Sequence, residues 1–138
     1  MKSLPAVSIL VALVLTGCIV GREATTDLPG TSWVLVELDG ADPVADAVPT
    51  MEFGEDGTVS GNASCNTYNA AVTIDGSELS FGPVATTRMM CADPAAADQE
   101  TAFVAALSGV SSYTIDSEGR LVLEGDAPLT FEVAPEGG

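Results

Sequence analysis

Residues 70–81, AAVTIDGSELSF, decide the class of fold. Apolar and polar side chains alternate on both sides of Asp75-Gly76, a pattern that predicts two antiparallel strands joined by a tight turn. The same rhythm continues outward in both directions, with glycine-containing turns about every 8–12 residues, as in all-β sandwiches and barrels. The predicted strands are 32–38, 50–53, 58–61, 70–74, 78–81, 113–116, 120–124 and 129–133.

One segment, residues 93–109, breaks this rhythm and predicts a helix. Asp93 suits the N-cap, Pro94 the first helical position and Gly109 the stop. Phe103, Leu107 and Val110 are three or four positions apart, so they are expected to share one apolar face of this helix. The fold class is therefore expected to be α+β, a small antiparallel β-sheet or barrel-like domain of about seven to eight strands with one α-helix packed across it.

Seven aromatic residues are spread over different predicted elements. We expect each element to contribute one large side chain to a shared core. Tyr68 and Tyr113 also carry hydroxyl groups, so they are the better candidates for the rim of a binding cavity.

The N-terminal residues predict export and lipidation. A lysine precedes a short apolar run, and Leu-Thr-Gly-Cys at 15–18 resembles a bacterial lipoprotein lipobox. The run is too short to span a bilayer, which needs about 20 apolar residues. We expect cleavage after residue 17 and a lipidated Cys18. The chain would then be anchored to the cell envelope, in the outer membrane where the host has two membranes, because residue 19 is not aspartate.

The domain organisation follows from this N-terminus. Residues 1–17 are expected to be a lipoprotein signal peptide and 18–28 a tether. Residues 29–134 form the folded domain, and 135–138 a disordered tail.

Charge excludes several functions. The chain has 20 acidic residues against 4 basic ones, no histidine, and a net charge of −16. Such a field repels nucleic acid and suits either high salt or a basic partner protein. Ser-His-Asp and Cys-His catalytic sites are excluded because histidine is absent. No acidic run has calcium-loop spacing, so we expect neither a metal nor a cofactor, and no enzymatic activity.

Cys65 and Cys91 are the cysteines beyond Cys18. An exported domain with two cysteines usually pairs them, so a disulfide is expected. Two free thiols are an alternative. A zinc site is a weaker one, since two carboxylates would have to complete the ligands.

The residues around these cysteines resemble a known family. SGNASCNTY at 60–68 and TTRMMCADP at 86–94, followed by Glu100 and Phe103, are similar to the META domain of HslJ-type heat-shock lipoproteins. Ser64 stands where many members carry glycine. The resemblance implies a small β domain crossed by a helix, a role in envelope stress or antibiotic tolerance, and no established enzymatic chemistry.

The candidate binding residues lie in these motifs, together with the two tyrosines. Asn66 is expected to cap a local turn, with ligand contact as the alternative. Arg88 is expected to pair with an acid. Met89 and Met90 are expected to pack under the start of the helix, although methionines also suit adaptable binding surfaces.

The function expected from the sequence is that of a monomeric, membrane-anchored, non-enzymatic lipoprotein. It would act in envelope stress by binding a protein partner or an apolar ligand. The alternative is an acidic, surface-anchored inhibitor of a basic hydrolase such as lysozyme. A third hypothesis, a carboxylate-based hydrolase, would need two coupled acids in one cleft.

Overall fold

The computed structural model describes residues 27–135. The predicted signal peptide, Cys18 and the last three residues lie outside this range. Nine strands and one helix follow one another in the described residues: β1 (Ser32–Leu38), β2 (Thr50–Phe53), β3 (Thr58–Asn62), β4 (Thr67–Asp75), β5 (Glu78–Phe81), β6 (Ala85–Thr86), α1 (Pro94–Ser108), β7 (Val110–Ile115), β8 (Leu121–Gly125) and β9 (Leu129–Val133).

Eight of the strands form a closed antiparallel barrel. The sheet order is β3-β2-β1-β9-β8-β7-β5-β4, and pairing of β3 with β4 closes the circle. β6 is an additional short strand on β4. The shortest strand pairing in the barrel is between β5 and β7, which share one residue pair, Glu78 with Ser112. The α+β, barrel-like class predicted from the sequence is thus confirmed.

The core lies inside the barrel and under the helix. Alternate residues of each strand point inward, as the period-two pattern requires, so that Trp33, Leu35, Met51 and Phe53 are all buried. Each of the seven aromatic side chains contributes to this core, with Phe81 partly exposed. Leu28, placed in the tether by the sequence prediction, is 1% exposed and belongs to the core. The packed part of the chain therefore begins earlier than predicted.

The helix begins and ends where its capping residues predict. The Asp93 carboxylate accepts a hydrogen bond from the Ala95 N–H at 3.0 Å, Pro94 follows, and Gly109 ends the helix. Phe103 packs its ring edge-to-face on Tyr68, with centroids 5.4 Å apart. The structure corrects the assignment of Val110 to the helix face. Once Gly109 has ended the helix, this residue starts β7 and is buried as part of that strand.

The bounds of four strands, β3, β4, β7 and β8, also differ from the prediction. β4 starts at Thr67, three residues early, because its first half pairs with β3 and β6. Gly61 lies on β3 close to Thr50, the first residue of β2. Only glycine fits here, since a Cβ at position 61 would collide with the carbonyl oxygen of Thr50. Among residues 27–135, no helix has the length and apolar character needed to cross a membrane.

Candidate binding site at the methionine loop

The methionine loop, residues 87–91, leads from β6 towards the helix and lies against the turn 63–66. Its first residue extends the β4–β6 ladder. The Thr87 N–H donates to the Thr67 carbonyl at 3.0 Å, and the Thr67 N–H donates to Thr87 Oγ1 at 3.1 Å. The loop therefore leaves the sheet in a fixed direction.

Asn66 fixes the backbone of this loop. Its side chain is 4% exposed, and its Oδ1 accepts from the Met89 N–H at 2.6 Å and from Thr87 Oγ1 at 3.0 Å. Its Nδ2 donates to the Met89 carbonyl at 3.2 Å and to Glu100 Oε2 at 2.7 Å. Both donors and both acceptor positions of the amide are thus occupied. The sequence prediction that Asn66 caps a local turn is wrong, because its partners lie 21 to 34 residues away.

Glu100 connects the helix to the same turn. Its Oε1 accepts from the backbone N–H groups of Asn66, at 2.7 Å, and Cys65, at 3.2 Å. Hydrogen bonds to an ionised acceptor are about twice as strong as neutral ones. Glu100 belongs to the family motif quoted above, but its sequence context predicts no such contact. Its distance along the chain from Asn66 left no local signal for this contact.

A disulfide between Cys65 and Cys91 joins the two ends of the site. Their Cα atoms are 5.7 Å apart, a distance that suits such a bond. Cys65, Cys91 and Glu100 also form a cluster of potential metal ligands within the described chain. The cluster does not fit a metal ion, because both sulfur atoms are bonded to each other and the carboxylate already accepts three hydrogen bonds.

The side chains of the methionine loop point outward. Met90 is 98% exposed and Met89 is 65% exposed. The expectation that they pack under the helix is wrong, because the helix covers its apolar face with barrel residues instead. Two large apolar side chains are therefore displayed on a loop whose backbone is held by hydrogen bonds.

Arg88 gives the loop a positive charge. It is exposed and forms no ion pair in residues 27–135, contrary to the sequence prediction. Arg120 is paired, with Nε 2.7 Å from Asp116 and Nη2 3.1 Å from Glu118. The Arg120 backbone N–H and guanidinium lower the pKa of Asp116, because both favour its ionised form. Within the described chain, the unpaired basic charge lies beside the two methionines.

Ser64 and Gln99 form a buried polar contact under the turn. Ser64 Oγ donates to the Ala96 carbonyl at 2.9 Å and accepts from Gln99 Nε2 at 3.0 Å. Gln99 Nε2 also donates to the Ala47 carbonyl, and Gln99 Oε1 accepts from the Val44 N–H. Ser64 has φ +137°, a conformation that favours glycine. This explains why glycine is common here in the family that the sequence resembles.

The two tyrosines do not form a binding rim. Tyr68 is 2% exposed and Tyr113 is 8% exposed. The Tyr68 hydroxyl donates to the Thr50 carbonyl at 2.7 Å. Burial raises the pKa of this phenol far above its ordinary value, and the Glu52 charge adds to the effect. Both residues are correctly placed in the core by the aromatic pattern and wrongly placed at a rim by their hydroxyls.

An acidic recess lies on another face, where β5 and β7 separate. Its volume is about 350 Å³, and its lining includes Thr73, Asp75, Glu78 and Val110. Asp75 and Glu78 face each other across the β4–β5 ladder. Two like charges in this position favour a cationic partner over an anionic one.

The methionine loop and the start of the domain lie at opposite ends of β2. Just before β1, the Gly30 N–H donates a hydrogen bond to the carbonyl of Phe53, the last residue of β2. The turn 63–66 adjoins the first residue of β2, since the Asn62 N–H donates to Thr50 Oγ1. Gly30 therefore lies at the end of β2 away from the turn 63–66.

Comparison with known proteins places this architecture in a family. A search of the curated proteins found no significant match. Two structures determined by NMR are similar. One, from Burkholderia xenovorans, has 31% sequence identity and a TM-score of 0.65, over 79% of this chain and 85% of its own. The other has 27% identity and a TM-score of 0.64, over 77% of this chain and 91% of its own. The META domain model matches residues 26–136, so the chain belongs to the META domain family.

Proposed function

We propose that this META-domain protein is a membrane-anchored extracytoplasmic lipoprotein that binds a protein partner through its methionine loop. It has no enzymatic activity and supports the envelope under heat or antibiotic stress. The observation that carries the binding role is the combination of exposed Met89 and Met90 side chains with a fixed backbone beneath them.

A fixed backbone matters because ordering a loop on binding opposes association. Each immobilised, rotamer-rich side chain costs about 0.5–1.5 kcal/mol, and a mobile backbone adds to that. Asn66 and the disulfide order the backbone in the free protein. The methionine side chains remain adaptable and offer apolar, polarisable surface. Arg88 adds a charge that selects partners with an acidic group beside an apolar pocket.

In this proposal Cys18 anchors the chain to the envelope, and the methionine loop stays exposed on the folded domain. A partner in the extracytoplasmic space or on a facing surface could reach it.

Site-specific photo-cross-linking in intact cells tests this proposal. A photoreactive residue in place of Met90 should capture a defined protein. The same residue in place of Val133, which is 64% exposed on β9, serves as the matched control. Capture of the same proteins at equal yield from both positions would contradict a role for the loop. A Cys18→Ala variant should lose the acyl chains, measured as the mass of its N-terminal peptide, if Cys18 carries the anchor.

A second candidate function is inhibition of a basic hydrolase such as lysozyme. The facing carboxylates of Asp75 and Glu78 at the recess favour it. Inhibition should be strongest at low ionic strength and weaker in a Glu78→Ser variant. Absence of inhibition at low ionic strength would exclude this function.

A further inference from the structure

The sulfur atoms of the described chain fall into three groups. Cys65 and Cys91 are already oxidised as a disulfide, and Met51 is 0% exposed in the barrel core. Met89 and Met90 are the thioethers that solvent reaches in residues 27–135, at 65% and 98% exposure. An oxidant in solution therefore meets these two sulfur atoms before any other in this part of the chain.

We propose that Met89 and Met90 are an oxidation site that switches the methionine loop from an apolar to a polar surface. The switch rests on the proposed function of the loop in partner binding. The oxidant is hydrogen peroxide, a neutral two-electron oxidant, since the net charge of −16 disfavours anionic ones. The sulfur lone pair attacks one peroxide oxygen, and the S–O bond forms as the O–O bond breaks. The proton on the attacked oxygen moves to the departing hydroxide, which leaves as water. Each sulfur loses two electrons, and the peroxide gains them.

Oxidation of Met89 and Met90 leaves the folded structure unchanged. Asn66 holds the Met89 backbone and not its side chain. Oxidation at the two exposed sulfur atoms therefore breaks none of the hydrogen bonds of the site. Sulfoxide formation at Met51 would have the opposite effect, because it would place a polar group among Trp33 and its neighbours in the core.

The chemical consequence is confined to the displayed surface. A sulfoxide is polar and accepts hydrogen bonds, so two of them remove the apolar character on which binding through the loop depends. Methionine sulfoxide reductases reverse the change. Binding would thus be lost under oxidative stress and restored by reduction.

Peptide mass mapping of the folded protein during treatment with hydrogen peroxide tests the oxidation site. One oxygen should be added at Met89 and one at Met90, with Met51 modified roughly 100-fold more slowly, because its exposure requires unfolding. The thermal unfolding midpoint should stay unchanged. A Met51→Leu control should gain the same two oxygens. Oxidation of Met51 at a comparable rate, or a large fall in the midpoint, would overturn the proposal.

Cross-linking from the Val133 and Ala92 positions, before and after peroxide, tests the switch separately from the proposed function. Capture from position 92, which is exposed just after the methionine loop, should fall at least tenfold on oxidation and return after treatment with methionine sulfoxide reductases. Capture that persists with both sulfoxides present would overturn the switch and leave the binding role standing. Absence of specific capture from the reduced protein would overturn the binding role, while the mass map would still decide the oxidation site.

Discussion

Replacement of Asn66 by alanine would remove the contact on which the methionine loop depends. The side chain makes four hydrogen bonds, three to the loop and one to Glu100. Bonds to uncharged partners contribute about 1 kcal/mol each and the bond to a carboxylate about 2 kcal/mol, which together give about 5 kcal/mol. Water can reach the loop and replace part of the contact with Met89. We therefore expect the free energy of unfolding to fall by about 3 kcal/mol.

Urea denaturation with the disulfide intact measures this loss. The chain has one tryptophan, Trp33, which is 2% exposed and reports unfolding by its fluorescence. Asn69→Ala is the matched control, because Asn69 is exposed on the same strand as Tyr68. A loss for Asn66→Ala within about 0.5 kcal/mol of the control would refute the role of Asn66 in organising the site.

An Asn66→Asp variant separates the charge of the contact from its size. The substitution keeps the side-chain volume but replaces the donor that faces Glu100 Oε2 at 2.7 Å with an oxygen. Repulsion between two carboxylates raises the pKa of the introduced group. A raised acid pKa destabilises the protein above that pKa, and the loss disappears as the pH falls through it. The difference in unfolding free energy from the natural sequence should thus shrink between about pH 7 and pH 4. A difference independent of pH would contradict the contact with an ionised Glu100.

Removal of the disulfide by the paired changes Cys65→Ser and Cys91→Ser should lower the free energy of unfolding by about 3.5 kcal/mol, since the bond spans a sequence separation of 26 residues. A loss below about 1 kcal/mol in urea denaturation would contradict this estimate. Ser64→Ala should destabilise the protein more than Ser64→Gly, by roughly 1–2 kcal/mol, because only glycine relieves the backbone at φ +137°; equal losses would show that the backbone carries no strain. Glu78→Lys should stabilise the protein by about 0.5 kcal/mol at low salt, since it replaces a like charge opposite Asp75. That gain should disappear in about 1 M NaCl, and its persistence there would argue against an electrostatic cause.

The sequence predicted the barrel well where local chemistry decides the structure. The tight turn predicted at Asp75-Gly76 lies one residue further on, at Gly76 and Ser77, because Asp75 ends β4 and pairs with Glu78. Asp93 and Gly109 bound the helix because capping depends on residues within one turn. β6 was not predicted, since a strand of two residues has no measurable period.

The site was predicted only as a set of residues, and its geometry was not. Apolar residues are expected inside, so the sequence predicts that Met89 and Met90 pack under the start of the helix. The fixed course of the loop, which holds them outside, depends on Asn66, more than 20 residues away in sequence. Asparagine most often bonds its own turn, and no local pattern distinguishes that use from a distant one.

The two devices that hold the methionine loop act on different states of the chain. The disulfide between Cys65 and Cys91 stabilises mainly by restricting the unfolded chain. Asn66 acts in the folded state, where its buried amide would be unfavourable if any partner were missing. A loop that served only as a connection would need neither device, and polar residues would suit its surface better than Met90 at 98% exposure. The pairing of such constraint with exposed apolar side chains is what a preorganised binding surface requires.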